Sequence, residues 1–414
     1  MSAPCLRIDI DASESLPSIP PQAAPSGARC VWILVSVHTE TIGSVILELP
    51  PQGLTSEEMT ASVFGALGPL ITPRLATGSH SNEAFPTFVT TRSELLAHAP
   101  KFTIVVCTRE RPEGLRACLE SLLAQEYPDF SILVVDNAPT TDRSESVVEQ
   151  LSSKVIRYVV EPRKGLSWAR NRALETVEDE FVAWIDDDET ADPHWLAELA
   201  RGFSEHPEAD AVGGVMVPGE LETPAQVWFE QYGGFNKHRG FTPAVFSPDT
   251  AHQQSPLYPL PPFGTGGNMA FRLGALERIG GFDVALGAGS SCMGAEDTLV
   301  FTELLYAGGT VVYQPTALTR HFHRRSVEEL RKQMYGYGVG LTAFYTSLLW
   351  NRPRCIPDLI RLAPAALKDM LGKDSQRSGD LPPDFPPELL KGNRRGALVG
   401  PFRYVRARLA VSRH

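Results

Sequence analysis

The 414-residue sequence contains no apolar run of the roughly 18–20 residues that a membrane-crossing helix needs. Residues 1–20 lack the charged-then-apolar pattern of an export leader and carry Asp9, Asp11 and Glu14 instead. The location expected from these absences is cytoplasmic. No C-x-x-C spacing joins Cys5, Cys30, Cys107, Cys118, Cys292 and Cys355. A structural zinc site therefore has little support, and buried free thiols are expected. Positive charge is in deficit: 38 Lys and Arg against 49 Asp and Glu give a formal charge of −11. Duplex nucleic acid, which needs clustered cations, is not expected as a partner. The apolar fraction of 43% excludes wholesale disorder, and the length allows two or three domains.

What is present divides into four regions. Residues 1–28 are rich in Pro, Ser and Ala and read as an irregular arm. Residues 29–100 read as a small α+β module: strand-like runs at 31–37 and 43–49, a helical pattern near 59–70, and a connector over 75–100. From 101 to 325 short Val- and Ile-rich runs at 102–108, 131–136, 155–160 and 181–185 alternate with helical segments at 113–125, 144–151 and 165–177. That alternation predicts an α/β fold with a mostly parallel sheet covered by helices on both faces. Ligands of such sheets sit beyond the carboxyl ends of the strands, where Thr108, Asp136 and Asp186 to Asp188 fall. Residues 326–414 read as a C-terminal helical extension with a basic tail.

The turn after the first of these strands, Arg109-Glu110-Arg111-Pro112, has neither G-x-G-x-x-G nor G-x-x-x-x-G-K-[ST]. A dinucleotide Rossmann site and a P-loop are both excluded there. A nucleoside diphosphate at this sheet would need a carboxylate-held metal to neutralise its phosphates. Asp186-Asp187-Asp188-Glu189 directly follows an apolar strand. Adjacent carboxylates at a buried strand's end repel one another unless a cation compensates them. In an extended segment Asp186 and Asp188 point the same way and can share one ligand while Asp187 turns aside. The alternative is a solvated acidic turn.

Thr103-Ile-Val-Val-Cys-Thr-Arg-Glu-Arg-Pro112, Leu133-Val-Val-Asp-Asn137 and the acidic run after Phe181-Val-Ala-Trp-Ile185 resemble the family 2 glycosyltransferases of GT-A fold. Further stations follow in the same order: Glu161-Pro-Arg-Lys-Gly-Leu-Ser-Trp-Ala-Arg-Asn171, Gly264-Thr-Gly-Gly-Asn-Met269, Glu296-Asp297 and Arg320-His-Phe-His-Arg324. The resemblance implies transfer of a sugar from a nucleotide-diphosphate sugar, a UDP-sugar by expectation, to an acceptor hydroxyl with inversion. Asp136 would hold the base or ribose, with Thr108, Arg109, Arg163, Arg170, Asp186 and Asp187 around the donor. Asp188 and His321 would ligate Mn²⁺ or Mg²⁺, with Asp186 close to the metal and His323 as the alternative to His321. Gly266, Gly267 and Asn268 would lie on the acceptor side, and the glycine-rich residues 287–294 would close as a lid. Asp297 would be the catalytic base, with Glu296 touching the acceptor or orienting the site. The acceptor would be a glycan, a lipid-linked molecule or a small molecule, and cell-envelope glycan synthesis is the setting implied. Plainer readings stand beside these: Asp136 as a turn-initiating residue, Arg170 as a surface residue, Glu296 and Asp297 as helix caps, the histidines as hydrogen-bonded or exposed side chains.

The chain departs from the processive members of that family. Where they carry Q-x-x-R-W, it reads Arg331-Lys-Gln-Met-Tyr-Gly-Tyr-Gly338, so addition of one or a few sugars is expected rather than polymerisation. The apolar stretch 339–350 reads as a packed helix. Residues 389–414 carry seven Lys and Arg and no acid. They read either as a peripheral seat on anionic lipid at the inner face of a membrane or as a solvated terminus. Two other functions fit less well: a nucleotidyltransferase, which would present a glycine-rich basic loop after the first strand, and a non-catalytic nucleotide-sugar or glycan-binding protein.

Overall fold

The computed structural model of the chain describes residues 3–78, 88–235, 239–247, 265–371, 381–382 and 384–411. An N-terminal sheet is built from β1 (Cys5–Asp11), β2 (Cys30–Val37) and β3 (Glu40–Glu48), with α1 (Ser56–Gly78) packed on it and α2 (Phe88–Ala97) following. The hairpin β2–β3 and the helix after it lie where the apolar runs placed them. Two expectations need correction. Residues 1–28 are not an irregular arm throughout, because β1 pairs in parallel with β2, Cys5 opposite Cys30. Its apolar residues alternate with Arg7, Asp9 and Asp11, a period of two that the surrounding Pro and Ser obscure. The stretch 75–100 is not simply a connector either, since α2 lies within it. The six cysteines are free.

Among the described residues the second sheet contains nine strands: β4 (Phe102–Thr108), β5 (Phe130–Asn137), β6 (Ile156–Glu161), β7 (Phe181–Asp186), β8 (Glu189–Ala191), β9 (Ala209–Pro218), β10 (Ala244–Phe246), β11 (Asn268–Arg272) and β12 (Thr310–His321). Their order is β10-β12-β9-β11-β7-β4-β5-β6, with β8 paired to β12. β6, β5, β4 and β7 are mutually parallel, as are β9 and β12, while β11 runs antiparallel between the two groups. Every residue of β4 is buried, which is why its sequence is apolar without a break. One face takes Val105, Leu133, Val182 and Trp184 against Ala169 and Ala173 of α5 (Leu166–Leu174) and Val300 and Phe301 of α9 (Glu296–Tyr306). The other takes Ile104, Ile132, Ala183 and Ile185 against α3 (Pro112–Leu123), Val147 of α4 (Arg143–Leu151) and α6 (Trp195–Glu205). The expected α/β sheet with flanking helices is thus present, along with the N-terminal α+β module.

Two short helices, α7 (Pro224–Gln231) and α8 (Leu273–Ile279), complete the sheet domain. Three long ones follow it: α10 (Val327–Asn351), α11 (Ile356–Leu371) and α12 (Pro387–Val411). Ser326 and Glu329 form a reciprocal capping box that starts α10. Val339, Ala343, Phe344 and Leu348 are buried along it, as expected for 339–350. Residues 387–411 are helical rather than a loose tail. No helix among the described residues is long and apolar enough to cross a membrane.

Candidate active site

Parallel pairing sets Thr108 level with Asp136, and Cys107 level with Asp186, so the strand-end acids share one rim of the sheet. Asp136 is fully buried. Its Oδ2 accepts a hydrogen bond from the Tyr158 hydroxyl at 2.8 Å, while Oδ1 is buried without a partner. Burial raises this carboxyl above its ordinary range. An unfilled acceptor in that position suits a ring N–H or a ribose hydroxyl. Beside it, the Asn137 amide donates to the Arg163 carbonyl and accepts from the Gly165 amide, both at 2.8 Å, fixing the loop that carries Arg163. Arg163 stacks 3.9 Å over the Trp168 ring and pairs with Glu161 at 2.7 Å. Arg109 is exposed at the rim.

The expected alternation is not what divides the three aspartates, because β7 ends at Asp186 and Asp187 and Asp188 lie in the turn after it. Thr108 Oγ1 donates to Asp187 at 2.8 Å and Arg111 at 3.0 Å. The Thr108 hydroxyl, expected beside the nucleotide, is therefore engaged within the protein. Asp188 meets Arg111 at 2.8 Å, Arg324 at 3.2 Å and His321 Nε2 at 3.4 Å. Burial opposes its charge, but His321, Arg111 and Arg324 outweigh it and hold the carboxylate far below the usual range. Burial instead pushes Asp187 up to about 6. Antiparallel pairing of β8 with β12, His321 opposite Glu189, delivers the histidine to Asp188.

The two histidines face different partners. His321 Nε2 faces Asp188, whereas His323 Nε2 lies 2.8 Å from Glu230 Oε1, and the two Nδ1 atoms are 2.8 Å apart. Burial lowers the His323 pKa and favours its neutral form. Where His323 Nε2–H donates to Glu230, the Nδ1 of His323 accepts from His321 Nδ1–H, which fixes the orientation of both rings. Among the described residues no group of three or more His, Cys, Asp or Glu is arranged to enclose a metal ion. The pair Asp188–His321 can supply two ligands, since cis ligands of a small divalent ion stand about 3 Å apart.

Opposite this pair, Arg170 is 1% exposed and so is not a surface residue of α5. Its guanidinium donates to Glu296 at 3.0 Å and to the Gly266 carbonyl at 2.9 Å, and lies 3.5 Å from Asp186. Burial pushes the Glu296 carboxyl up to about 7, against the pull of Arg170. Asp297 keeps part of its surface open, and its Oδ2 accepts from the Gly266 amide at 2.8 Å. Ala295, just before the pair, has the left-handed φ of 70°, a strained turn for a residue with a side chain.

The glycines at 266 and 267 are required by the site's own side chains. A Cβ at Gly266 would lie 2.9 Å from Arg170 Nη2, and one at Gly267 1.8 Å from Glu189 Oε1. Asn268 is a correction. Its side chain is buried in the sheet, accepting from Trp195 at 2.9 Å and donating to the Val215 and Ala317 carbonyls at 2.8 Å, so nothing of it reaches an acceptor. Gly264 lies outside the described residues. Residues 287–294 are anchored: Cys292 is buried, Leu166 N donates to the Ala288 carbonyl, and Arg403 donates to the Ser291 carbonyl. Arg111, Arg324, Glu189 and Glu230 were missed as site residues. Arg111, Glu189 and Arg324 sat inside quoted motifs, while Glu230 gave no signal in the sequence.

Residues 103–280 match the profile of glycosyl transferase family 2. A glucosyl-dolichyl phosphate glucuronosyltransferase of Haloferax volcanii is 26% identical over 53% of this chain and 69% of its own length. The succinoglycan biosynthesis protein ExoM of Rhizobium meliloti is 31% identical over 52% of this chain and 64% of its own. A solved mannosyltransferase from Pyrobaculum calidifontis, in complex with GDP-Man and Mn²⁺, aligns over 86% of this chain and 84% of its own, at 20% identity and a TM-score of 0.45. The profile begins in β4 and runs past Gly266 and β11, over the strand ends that carry Asp136 and Asp186 to Asp188. On that match residues 103–280, the stretch that carries the strand-end acids, are similar to glycosyl transferase family 2.

Proposed function

We propose that the chain transfers a sugar from a nucleotide-diphosphate sugar to an acceptor hydroxyl, one or a few units at a time, with inversion at the anomeric carbon. The observation that carries this reading is the meeting of groups far apart in sequence. Asp186 and Asp188 with His321 stand on one side, Glu296 and Asp297 on the other, around Arg170 and Gly266.

The unfilled Oδ1 of Asp136 accepts from the base or ribose of the donor, and a UDP-sugar offers a ring N–H suited to it. Asp188 and His321 would hold Mn²⁺ or Mg²⁺, with Asp186 close by; a bound ion supplies charge neutralisation on the diphosphate leaving group. Arg111 and Arg324 add fixed positive charge around Asp188. Asp297, partly open and oriented by the Gly266 amide, takes the proton of the attacking hydroxyl. Glu296, buried on Arg170, orients the acceptor side. The acid cluster also gives a nucleotidyltransferase little to use, because the turn after β4 is held by Arg111 on Asp187 and Asp188.

Hydrolysis and transfer assays with UDP-, GDP- and dTDP-sugars, each with and without Mn²⁺, test the reading. Asp188→Ala is expected to abolish metal-dependent turnover. Asp297→Asn is expected to lower kcat about 10²- to 10⁴-fold with donor KM little changed. Full activity in either variant would overturn the role given to that residue.

A further inference from the structure

The proposed chemistry leaves α12 without a role on its outer side. This helix lies on α10 along a seam of small residues. A Cβ at Gly396 would stand 2.1 Å from the Tyr335 carbonyl oxygen, and one at Gly400 2.4 Å from that of Val339. Leu389, Ala397 and Tyr404 are buried on the same side. At about 100° per residue, Leu398 and Phe402 fall on the side opposite this seam, separated by about 40°. Leu398 is 82% exposed and Phe402 72%. Leu409 continues the same stripe.

Single exposed apolar residues are ordinary, but a stripe on one helix face marks a binding surface. Its charge says what binds. Lys391 lies on the stripe, and the exposed Arg394, Arg395 and Arg406 flank it. Residues 389–411 contain no Asp or Glu, on a chain whose net charge is −11. A second copy meeting the same face across a twofold axis would set these cations against their own equivalents. An anionic surface with an apolar layer beneath it satisfies both parts of the stripe.

We propose that α12 seats the protein on an anionic phospholipid bilayer. Leu398 and Phe402 enter below the headgroups, with Arg394, Arg395 and Arg406 at the level of the phosphates. Arg403, on the flank of the helix, donates to the Ser291 carbonyl at 3.1 Å and the Tyr335 hydroxyl at 3.1 Å. It thereby ties the seat to the loop that leads into Glu296 and Asp297. On the transferase reading proposed above, a protein seated in this way would meet a lipid-linked acceptor at the same membrane.

Flotation of the full chain with vesicles of phosphatidylcholine, alone or mixed with phosphatidylglycerol, tests the seat independently of sugar transfer. The chain is expected to float with the mixed vesicles and not with phosphatidylcholine alone. Leu398→Glu with Phe402→Glu should reduce flotation about tenfold or more, and Arg394→Glu with Arg395→Glu should remove the preference for phosphatidylglycerol. Thermal midpoint and nucleotide-sugar hydrolysis, measured on both variants, should match the parent and so separate lost binding from lost folding. Failure of the intact chain to float, or equal flotation of the Glu variants, overturns the proposal. So does a chain that does not float but changes from dimer to monomer on Leu398→Glu with Phe402→Glu, because the stripe is then a contact between copies. Loss of hydrolysis in the parent would count against the transferase reading and leave the flotation result standing.

Discussion

The charge balance at the centre of the site turns on Arg170, whose single guanidinium serves Glu296, Asp186 and the Gly266 carbonyl in a buried setting. Glu296 is still pushed up to about 7 because burial outweighs that pairing. A carboxyl whose pKa is higher folded than unfolded favours the folded state most when protonated. Its contribution is complete below about pH 4.5 and is lost as pH rises through about 7. Glu296→Gln, melted free of metal across that window, should therefore lose less stability with rising pH than the parent. Identical slopes would mean that the buried charge at 296 does not set the dependence. A second prediction concerns the chain from His321 through His323 to Glu230. Glu230→Leu removes the acceptor that fixes both tautomers, and Mn²⁺ affinity, read by titration of the free-ion magnetic resonance signal, should fall about 10- to 100-fold. An unchanged affinity would show that His321 is oriented without Glu230. Neither feature was legible beforehand. Asp188 and His321 could be named from their motifs, but Glu230 has no motif, and the burial of Arg170 depends on what packs over α5.

At the scale of elements, what could be read from sequence followed from burial. β4, β5 and β7 are covered on both faces, so their apolar runs are unbroken and their ends, with Asp136 and Asp186 to Asp188, are sharply marked. β1 escaped notice because its parallel partner begins well downstream and its outer residues are charged. Asn268 was misread for a related reason: a glycine-rich approach looks like a ligand loop, yet β11 draws the amide into the sheet to satisfy carbonyls of β9 and β12. The α10–α12 seam has a local signature only in hindsight, as Gly338, Gly396 and Gly400. It makes a strong prediction. A methyl group at 396 collides with backbone, so Gly396→Ala should destabilise the chain by about 1–3 kcal/mol in urea unfolding, despite the better helix propensity of alanine. A gain in stability would mean that the helices can separate at no cost.

Across the whole molecule, the N-terminal module and the large-sheet domain share a core. Cys5, Trp32 and Leu34 lie in the same apolar cluster as Val215, Val217, Leu221 and Leu318 of the large sheet and its following loop. The Cys5 amide donates to the Leu221 carbonyl at 2.8 Å. Arg320, immediately before His321, pairs with Asp9 of β1 at 3.0 Å and with Asp192 at 3.1 Å. The strand that presents the histidine is thus braced from the N-terminal sheet. Two units joined in this way should unfold together. Trp32→Ala removes a 7%-exposed indole from the common core and should cost about 3–5 kcal/mol. The loss should appear equally in hydrogen exchange of residues 30–48 and of residues 102–108, although Trp32 lies outside the large sheet. If the variant instead released the N-terminal sheet while β4 kept the protection it has in the parent, the module would be an independent domain and the brace on Arg320 would carry no stability to the site.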